Sequence, residues 1–223
     1  MLLDTITSTF DSPPGFMVIE GPIGVGKTSL AKRLAQSFSG EVILERPELN
    51  PFLERFYRAP RQYALPTQLS FLFQRSQMLK GIRQTDMFSR TQVADFLFEK
   101  DVLFAQLNLE EDEYRLYQQV YNHLLPDAPV PDLVIYLQSP VDVLLKRIRQ
   151  RGVEYEQLIE RDYLNRLCDI YSRMFLAYKQ SPLLVVNAEN INFVDSESDY
   201  HTLLEEIVNT KSGRHFFNPL SVE

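Results

Sequence analysis

Apolar residues along the chain follow two rhythms, and each predicts a different element. Short, nearly continuous apolar runs bounded by polar or turn residues predict five strands: Phe16–Glu20, Glu41–Glu45, Thr91–Asp95, Asp132–Leu137 and Leu183–Asn187. Such runs suit a parallel sheet covered on both faces, because a half-solvated strand would alternate. Between them, apolar residues recur at helical spacing. Helices are predicted over about 27–39, 50–58, 64–84, 97–107, 110–125, 140–151 and 160–180, and a last one over about 198–210. Strands alternating with helices predict an α/β fold with right-handed crossovers. No repeat or low-complexity linker interrupts the alternation, and Pro126 to Pro131 reads as a stiff loop before the fourth strand. The expected organisation is one domain over residues 1–223, with an N-terminal extension (1–15) and a C-terminal tail (212–223). Phe216 and Phe217 in that tail fit no usable pattern.

Composition narrows the class. A chain of 223 residues with 44% hydrophobic and 24% charged residues can build one large core. A net charge of −7 makes it a poor partner for nucleic-acid polymers or anionic membranes. The single cysteine, Cys168, rules out an internal disulfide and suits a reducing compartment. It falls in a helical pattern, where a small packing residue is the simpler reading than a nucleophile. Met1 to Gly15 lacks the basic and apolar regions of a signal peptide. No apolar run reaches the ~18 residues of a membrane span. A cytoplasmic protein is expected.

The chemistry starts at Gly21-Pro22-Ile23-Gly24-Val25-Gly26-Lys27-Thr28, which fits G-x-x-x-x-G-K-[ST]. An apolar strand precedes it and a helical pattern opening with Ser29 follows, which is the context a phosphate-binding P-loop needs. Gly24 and Gly26 let successive N–H groups turn inward as a nest for phosphate oxygens. The helix N-terminus adds partial positive charge. Lys27 supplies a point charge to the β- and γ-phosphates, and the Thr28 hydroxyl can hold Mg²⁺. The fold class is therefore expected to be an α/β P-loop NTPase with three layers, a five-stranded parallel sheet between helices. Other active groups should sit at the same edge of the sheet.

Candidates stand there. Glu45 ends the second strand and can act as a general base towards a substrate hydroxyl; the alternative is a solvated carboxylate. Asp95 ends the third strand and can orient Mg²⁺ through its water shell, cap the next helix, or both. Gln68 and Arg75, seven residues apart, share one helical face with Phe71 and Leu72 between them. They can meet a nucleobase edge, or form a structural pair with a carboxylate. Lys146 to Gly152 is a basic run closing a helix, with Arg147 and Arg151 four apart on one face. They can clamp a transferring phosphoryl group as a helical lid, or form a solvated helix end favoured by the macrodipole.

At these residues the chain resembles the deoxynucleoside kinase family, P-loop proteins with a thymidylate-kinase-like fold, and most of all its bacterial deoxyadenosine/deoxyguanosine kinases. The resemblance covers roughly residues 16–210. It rests on an ordered set: the P-loop; Glu45 with Asn50-Pro51-Phe52-Leu53 and Phe56-Tyr57; Gln68 and Arg75; Asp95 with Asp101; and the arginine-rich segment with Glu154-Tyr155-Glu156-Gln157. It implies that Glu45 is the base for the sugar 5′-hydroxyl. Gln68, Arg75 and Asp101 would bond the base, Tyr57 and Glu156 would hold the 3′-hydroxyl, and Arg147 and Arg151 would be lid arginines. Asn187 to Phe193, including Asn190, would cradle the adenine of ATP. The implied reaction passes the γ-phosphoryl group of ATP, with Mg²⁺, to a purine deoxynucleoside in nucleotide salvage. A homodimer is implied as well.

The chain departs from the family pattern at several positions. The third strand is followed by Asp95-Phe96-Leu97 where the family has acid-Arg-Ser, so an arginine is missing. Arg90 stands in for it only in a shifted alignment, and Lys100 is a second candidate. Val153 occupies a lid position that often holds arginine, and Ala105 one that often holds a base-stacking Phe. Two rival readings remain at this level: a nucleoside monophosphate kinase, and a nucleotide-binding module without catalysis. Glu45 argues against both, because a carboxylate would repel a phosphate acceptor and a binding module needs no base.

Overall fold

The computed structural model describes residues 14–84, 91–124 and 128–219. Arg90, most of the N-terminal extension, the start of the Pro126–Pro131 loop and the last four residues of the tail lie outside them. Strand β1 (Phe16–Glu20) leads through the glycine loop into helix α1 (Lys27–Ser37), and β2 (Glu41–Ile43) follows. A short turn at Pro47–Leu49 precedes α2 (Leu53–Arg58) and the long α3 (Pro60–Gln84). Next come β3 (Gln92–Ala94), α4 (Lys100–Asn108), α5 (Glu111–Leu124), β4 (Leu133–Gln138) and α6 (Val141–Arg151). A turn at Glu154–Leu158, α7 (Arg161–Ala177), β5 (Leu183–Asn187), α8 (Glu197–Asn209) and β6 (Arg214–Phe217) complete the chain.

The strands form one parallel sheet in the order β2-β3-β1-β4-β5-β6. β1 is central, with Val18 opposite Ala94 on one side and Val134 on the other. Met17, Val18, Ile19, Val134, Ile135 and Leu184 are buried, so both faces of the inner strands are covered, as their unbroken apolar runs require. The chain runs from β1 to β2 on one side and crosses from β3 to β4 on the other. That reversal opens a crevice at the carboxyl ends of the strands.

The sheet has six strands, not five. β6 pairs in parallel with β5, Leu183 opposite Arg214, but most of its side chains are exposed. An edge strand held by backbone bonds carries no apolar run to read. Its anchor is instead Arg214, which donates to the carbonyl oxygens of Phe175, Leu176 and Tyr178 at 2.9, 2.9 and 3.2 Å. Two predicted strands are shorter at their functional ends. β2 stops at Ile43 and β3 at Ala94, so Glu45 and Asp95 lie just past the strand ends, with the Asp95 N–H still donating to the Ile43 carbonyl oxygen (3.2 Å). The long helix starts earlier than its pattern suggests, at Pro60, where a first-turn residue needs no N–H.

Candidate active site

The glycine loop is built by close packing. Gly24 has φ +83° and Gly26 φ +108°, values that side chains resist. A Cβ on Gly24 would meet Ile148 Cγ1 at 2.8 Å and the Leu144 carbonyl oxygen at 3.0 Å, both on α6. The loop therefore lies directly against the arginine-bearing helix. Gly26 caps α1 without a side chain, so the first-turn N–H groups face the crevice. Lys27 Nζ donates to the carbonyl oxygens of Gly21 (2.7 Å) and Pro22 (3.1 Å). Burial lowers its pKa, an effect that Glu20, Asp95 and Glu45 partly oppose.

Three elements converge on Glu45. The Asp95 carboxylate receives the Thr28 hydroxyl (2.5 Å) on one oxygen and the Glu45 backbone N–H (2.8 Å) on the other. Asp95 does not cap the following helix, because α4 begins at Lys100. Burial raises the pKa of Asp95 despite those two bonds. The Glu45 carboxylate contacts Arg75 Nη2 on one oxygen and Lys100 Nζ (3.0 Å) on the other. Burial would push its pKa up; Arg75 and Lys100 outweigh that and bring it down to about 2. Glu45 is therefore an ionised, oriented acceptor and not a solvated strand end. The pH–rate profile from pH 6 to 8 should accordingly show no limb from Glu45. A limb in that window that Glu45→Gln removes would contradict the assignment.

Arg75 is a hub. Its other Nη meets Asp101, which is wholly buried on α4. Its guanidinium also lies 5.3 Å from the Phe71 ring centroid. Arg75 Nε and Asp101 Oδ2 are buried without hydrogen-bond partners among the described residues. Gln68, buried on the same face of α3, lines the adjoining cavity with Phe71 and Arg75, whereas Asp101 stands behind Arg75 and does not reach the cavity wall. Arg75→Ala strands the Asp101 charge, so it should lower stability by about 3–5 kcal/mol and weaken nucleoside binding. Denaturant unfolding and the nucleoside KM check this; a change confined to the KM for the phosphate donor would contradict it.

Two cavities meet at the loop. One, of about 720 Å³, is lined by Glu45, Tyr57, Gln68, Arg75, Asp95, Lys100 and Glu156, with Leu53, Phe56 and Phe104 as apolar wall. The other, of about 770 Å³, runs along Gly24 to Ser29, Arg147, Gln150, Arg151 and Glu189 to Val194. Gly24, Lys27, Thr28 and Arg151 belong to both. In the first, Tyr57 stacks on Tyr155 (6.2 Å, 10° between planes), and burial first, then Tyr163 and Glu156, push its hydroxyl well above the usual range. Arg151 pairs with Glu156, so this arginine at the end of α6 ties the second cavity to the first. Arg147 donates to the Ala188 and Val25 carbonyl oxygens (2.8 and 3.4 Å), and burial lowers its pKa. Gly152, with φ +69°, ends α6, and Gln157 Nε2 closes that end on the Ile148 carbonyl oxygen (3.1 Å).

Several expected donor-site residues lie elsewhere. Ser29 and Asn190 line the second cavity, but Asn187 does not. Its amide donates to Asn218 (2.8 Å) in a separate hollow, which Pro22 also lines. Ile23 faces the first cavity. Phe96 is buried against Phe98 in the core, Ala105 is buried, and Val153 lines the first cavity. Cys168 is half-buried on α7, and burial pushes its thiol up to about 11, as suits a packing residue. Sequence reading passed over Glu20. This buried carboxylate accepts from Gly21 N–H (2.9 Å), Tyr171 hydroxyl (2.9 Å) and Leu97 N–H (2.8 Å). The one available signal was an acid closing a strand that is otherwise apolar.

A parallel sheet, a P-loop and a carboxylate facing it across a shared cavity define a P-loop phosphotransferase. The sequence profile of the deoxynucleoside kinases matches residues 17–211, and the chain belongs to that family. It is 32% identical over 199 residues to a deoxyguanosine kinase of Bacillus subtilis, covering 86% of this chain and 95% of the relative. It is 29% identical over 206 residues to a deoxyadenosine kinase of Lactobacillus acidophilus, covering 86% and 94%. The solved structure of a deoxyadenosine kinase from M. mycoides with bound dATP shares the fold, with a TM-score of 0.74, 24% identity and coverage of 86% and 98%.

Proposed function

We propose that the protein transfers the γ-phosphoryl group of ATP to the 5′-hydroxyl of a purine deoxynucleoside in nucleotide salvage, acting as a single-domain homodimer in the cytoplasm. The observation that carries this reading is Glu45, ionised and held by Arg75 and Lys100 in the cavity that shares Lys27 and Thr28 with its neighbour. A carboxylate there suits a neutral hydroxyl acceptor and repels a phosphate.

The donor phosphates lie over the α1 N-terminus and Lys27, with the donor base in the cavity along Asn190 and Phe193. The acceptor base meets Gln68 and Arg75, whose unpartnered Nε is a donor suited to a base edge, while Asp101 behind it holds the guanidinium in place. Tyr57 and Glu156 flank the sugar. Glu45 orients the 5′-hydroxyl and takes its proton as the oxygen bonds to the γ-phosphorus and the bond from that phosphorus to the bridging oxygen breaks, leaving ADP. Lys27, Arg147 and Arg151 offset the charge spreading over the phosphoryl oxygens. Closure of α6 and its turn excludes water, the competing acceptor.

Thr28 and Asp95 supply hard oxygen donors 2.5 Å apart beside the loop, a set that fits Mg²⁺ shared with substrate phosphates and water. When bound, the ion neutralises charge on the β- and γ-phosphates. Among the described residues no three-acid cluster is present, and an ion carried mainly by phosphates needs none. No helix among them is long and apolar enough to cross a membrane.

The relatives' names favour purines. Incubation with Mg-ATP and each deoxynucleoside separately tests this: deoxyguanosine or deoxyadenosine should give the highest kcat/KM. Turnover only with thymidine or deoxycytidine would overturn the purine assignment and leave the chemistry intact.

A further inference from the structure

Lys100 is a buried cation in an unusual position. It lies in the first turn of α4, only 3% exposed, yet it lines the acceptor cavity. Its ammonium sits between two carboxylates, 3.0 Å from Glu45 Oε2 and 3.7 Å from Glu20 Oε2. These two acids differ in how they are held. Glu20 is wholly buried at the end of β1 and fixed by the Gly21 and Leu97 N–H groups and the Tyr171 hydroxyl. Glu45 lies beyond the end of β2, where its backbone N–H donates to Asp95 Oδ1 (2.8 Å) but its side chain needs partners of its own. Its side chain has only Arg75 and Lys100 as partners among the described residues.

We propose that Lys100 is a positioning residue for phosphoryl transfer: anchored on Glu20, it fixes the Glu45 carboxylate at the angle from which it meets the acceptor hydroxyl. The geometry links the end of β1 to the segment that follows β2. The Glu20 side chain cannot move without breaking three bonds, to the glycine loop, the segment after β3 and α7, and Lys100 carries that rigidity across to Glu45. Arg75 grips the other oxygen from α3, so the carboxylate is held from two elements at once. With one grip removed, the carboxylate can pivot about the other. A misplacement of about 1 Å at a reacting group costs on the order of 10²-fold in rate. The buried cation also satisfies Glu20, so the alternative is that Lys100 serves only to neutralise that acid. A packing role alone is a poor account of an ammonium at 3.0 Å from a cavity-facing carboxylate.

This inference rests on the kinase reading above. The test measures kcat and nucleoside KM for the wild type, Lys100→Met, Lys100→Arg and the double variant Lys100→Met/Glu20→Gln, with the Glu20→Gln single variant as control. Lys100→Met should lower kcat about 10²-fold with nucleoside KM within a few-fold. Lys100→Arg, whose guanidinium can span the same two acids, should recover most of that loss. The double variant should stay as slow as Lys100→Met, because neutralising Glu20 does not restore the hold on Glu45. The proposal is overturned if Lys100→Met keeps wild-type kcat, if Lys100→Arg is no better than Lys100→Met, or if the double variant returns to the wild-type rate. Should Lys100→Met fail to fold, the comparison is with the wild type: Lys100→Arg should stay within a few-fold of its kcat and the double variant should fall about 10²-fold below it, and a double variant at the wild-type rate would overturn the proposal. A wild-type protein with no transfer to any deoxynucleoside would overturn the kinase reading itself, and the proposal with it.

Discussion

Lys27→Ala should leave a folded protein that transfers almost no phosphoryl group, with kcat reduced by at least about 10³-fold. The lysine is the one cation that the loop itself brings to the junction of the two cavities. Its stem is fixed by the loop's own carbonyl oxygens, at 2.7 and 3.1 Å, so its charge is aimed before any substrate arrives. Preorganised charge of that kind acts where negative charge grows in the transition state, and water cannot replace it in a closed site. The structural cost is modest: two carbonyl groups lose a partner, about 1 kcal/mol each. The unfolding curve should therefore shift by only a few degrees, with the protein still folded at the assay temperature, while turnover collapses. A variant that keeps the wild-type rate would mean that the loop does not hold the donor phosphates.

Glu45→Gln should lower kcat by about 10²–10⁴-fold with nucleoside KM changed only a few-fold. The substitution keeps the shape and removes the charge and the proton acceptor. With a pKa near 2, Glu45 is a weak base, so its contribution lies in orientation and in late acceptance of the proton. That suits phosphoryl transfer, whose loose transition state demands little from the nucleophile early on. The same depressed pKa gives a stability signature. The ion pairs with Arg75 and Lys100 stabilise the folded chain above the ordinary carboxylate range, and this stabilisation is lost as pH falls towards about 2. Unchanged turnover in Glu45→Gln would remove Glu45 from the chemistry.

The sequence carried the parts of this site that are local. The glycine loop is contiguous, and its strand and helix flank it directly. Gln68 with Arg75, and Arg147 with Arg151, were legible because helical spacing alone puts each pair on one face. What the pattern could not carry was convergence. That Arg75 grips both Glu45 and Asp101 depends on α3, α4 and the end of β2 meeting, and no periodicity encodes that. Asp95 was open between a cap and an oriented acid until the start of α4 at Lys100 removed the first option. Asn187 is placed with the donor base only by the family resemblance, yet its amide turns to Asn218 on the segment after β6, a strand illegible because its side chains are mostly exposed. Glu20 was read as the last residue of a strand. Its burial, and its bonds to Tyr171 and Leu97 from distant elements, exist only in the fold.

The most direct test of the central claim follows the phosphoryl group itself. The protein is incubated with magnesium, γ-labelled ATP and deoxyguanosine or deoxyadenosine, in parallel with the same nucleosides lacking the 5′-hydroxyl. Label should appear in the deoxynucleoside 5′-monophosphate and be absent from the product when that hydroxyl is missing. Label found only as inorganic phosphate, or transferred equally to the 5′-deoxy compounds, would contradict the proposed transfer to the 5′-hydroxyl.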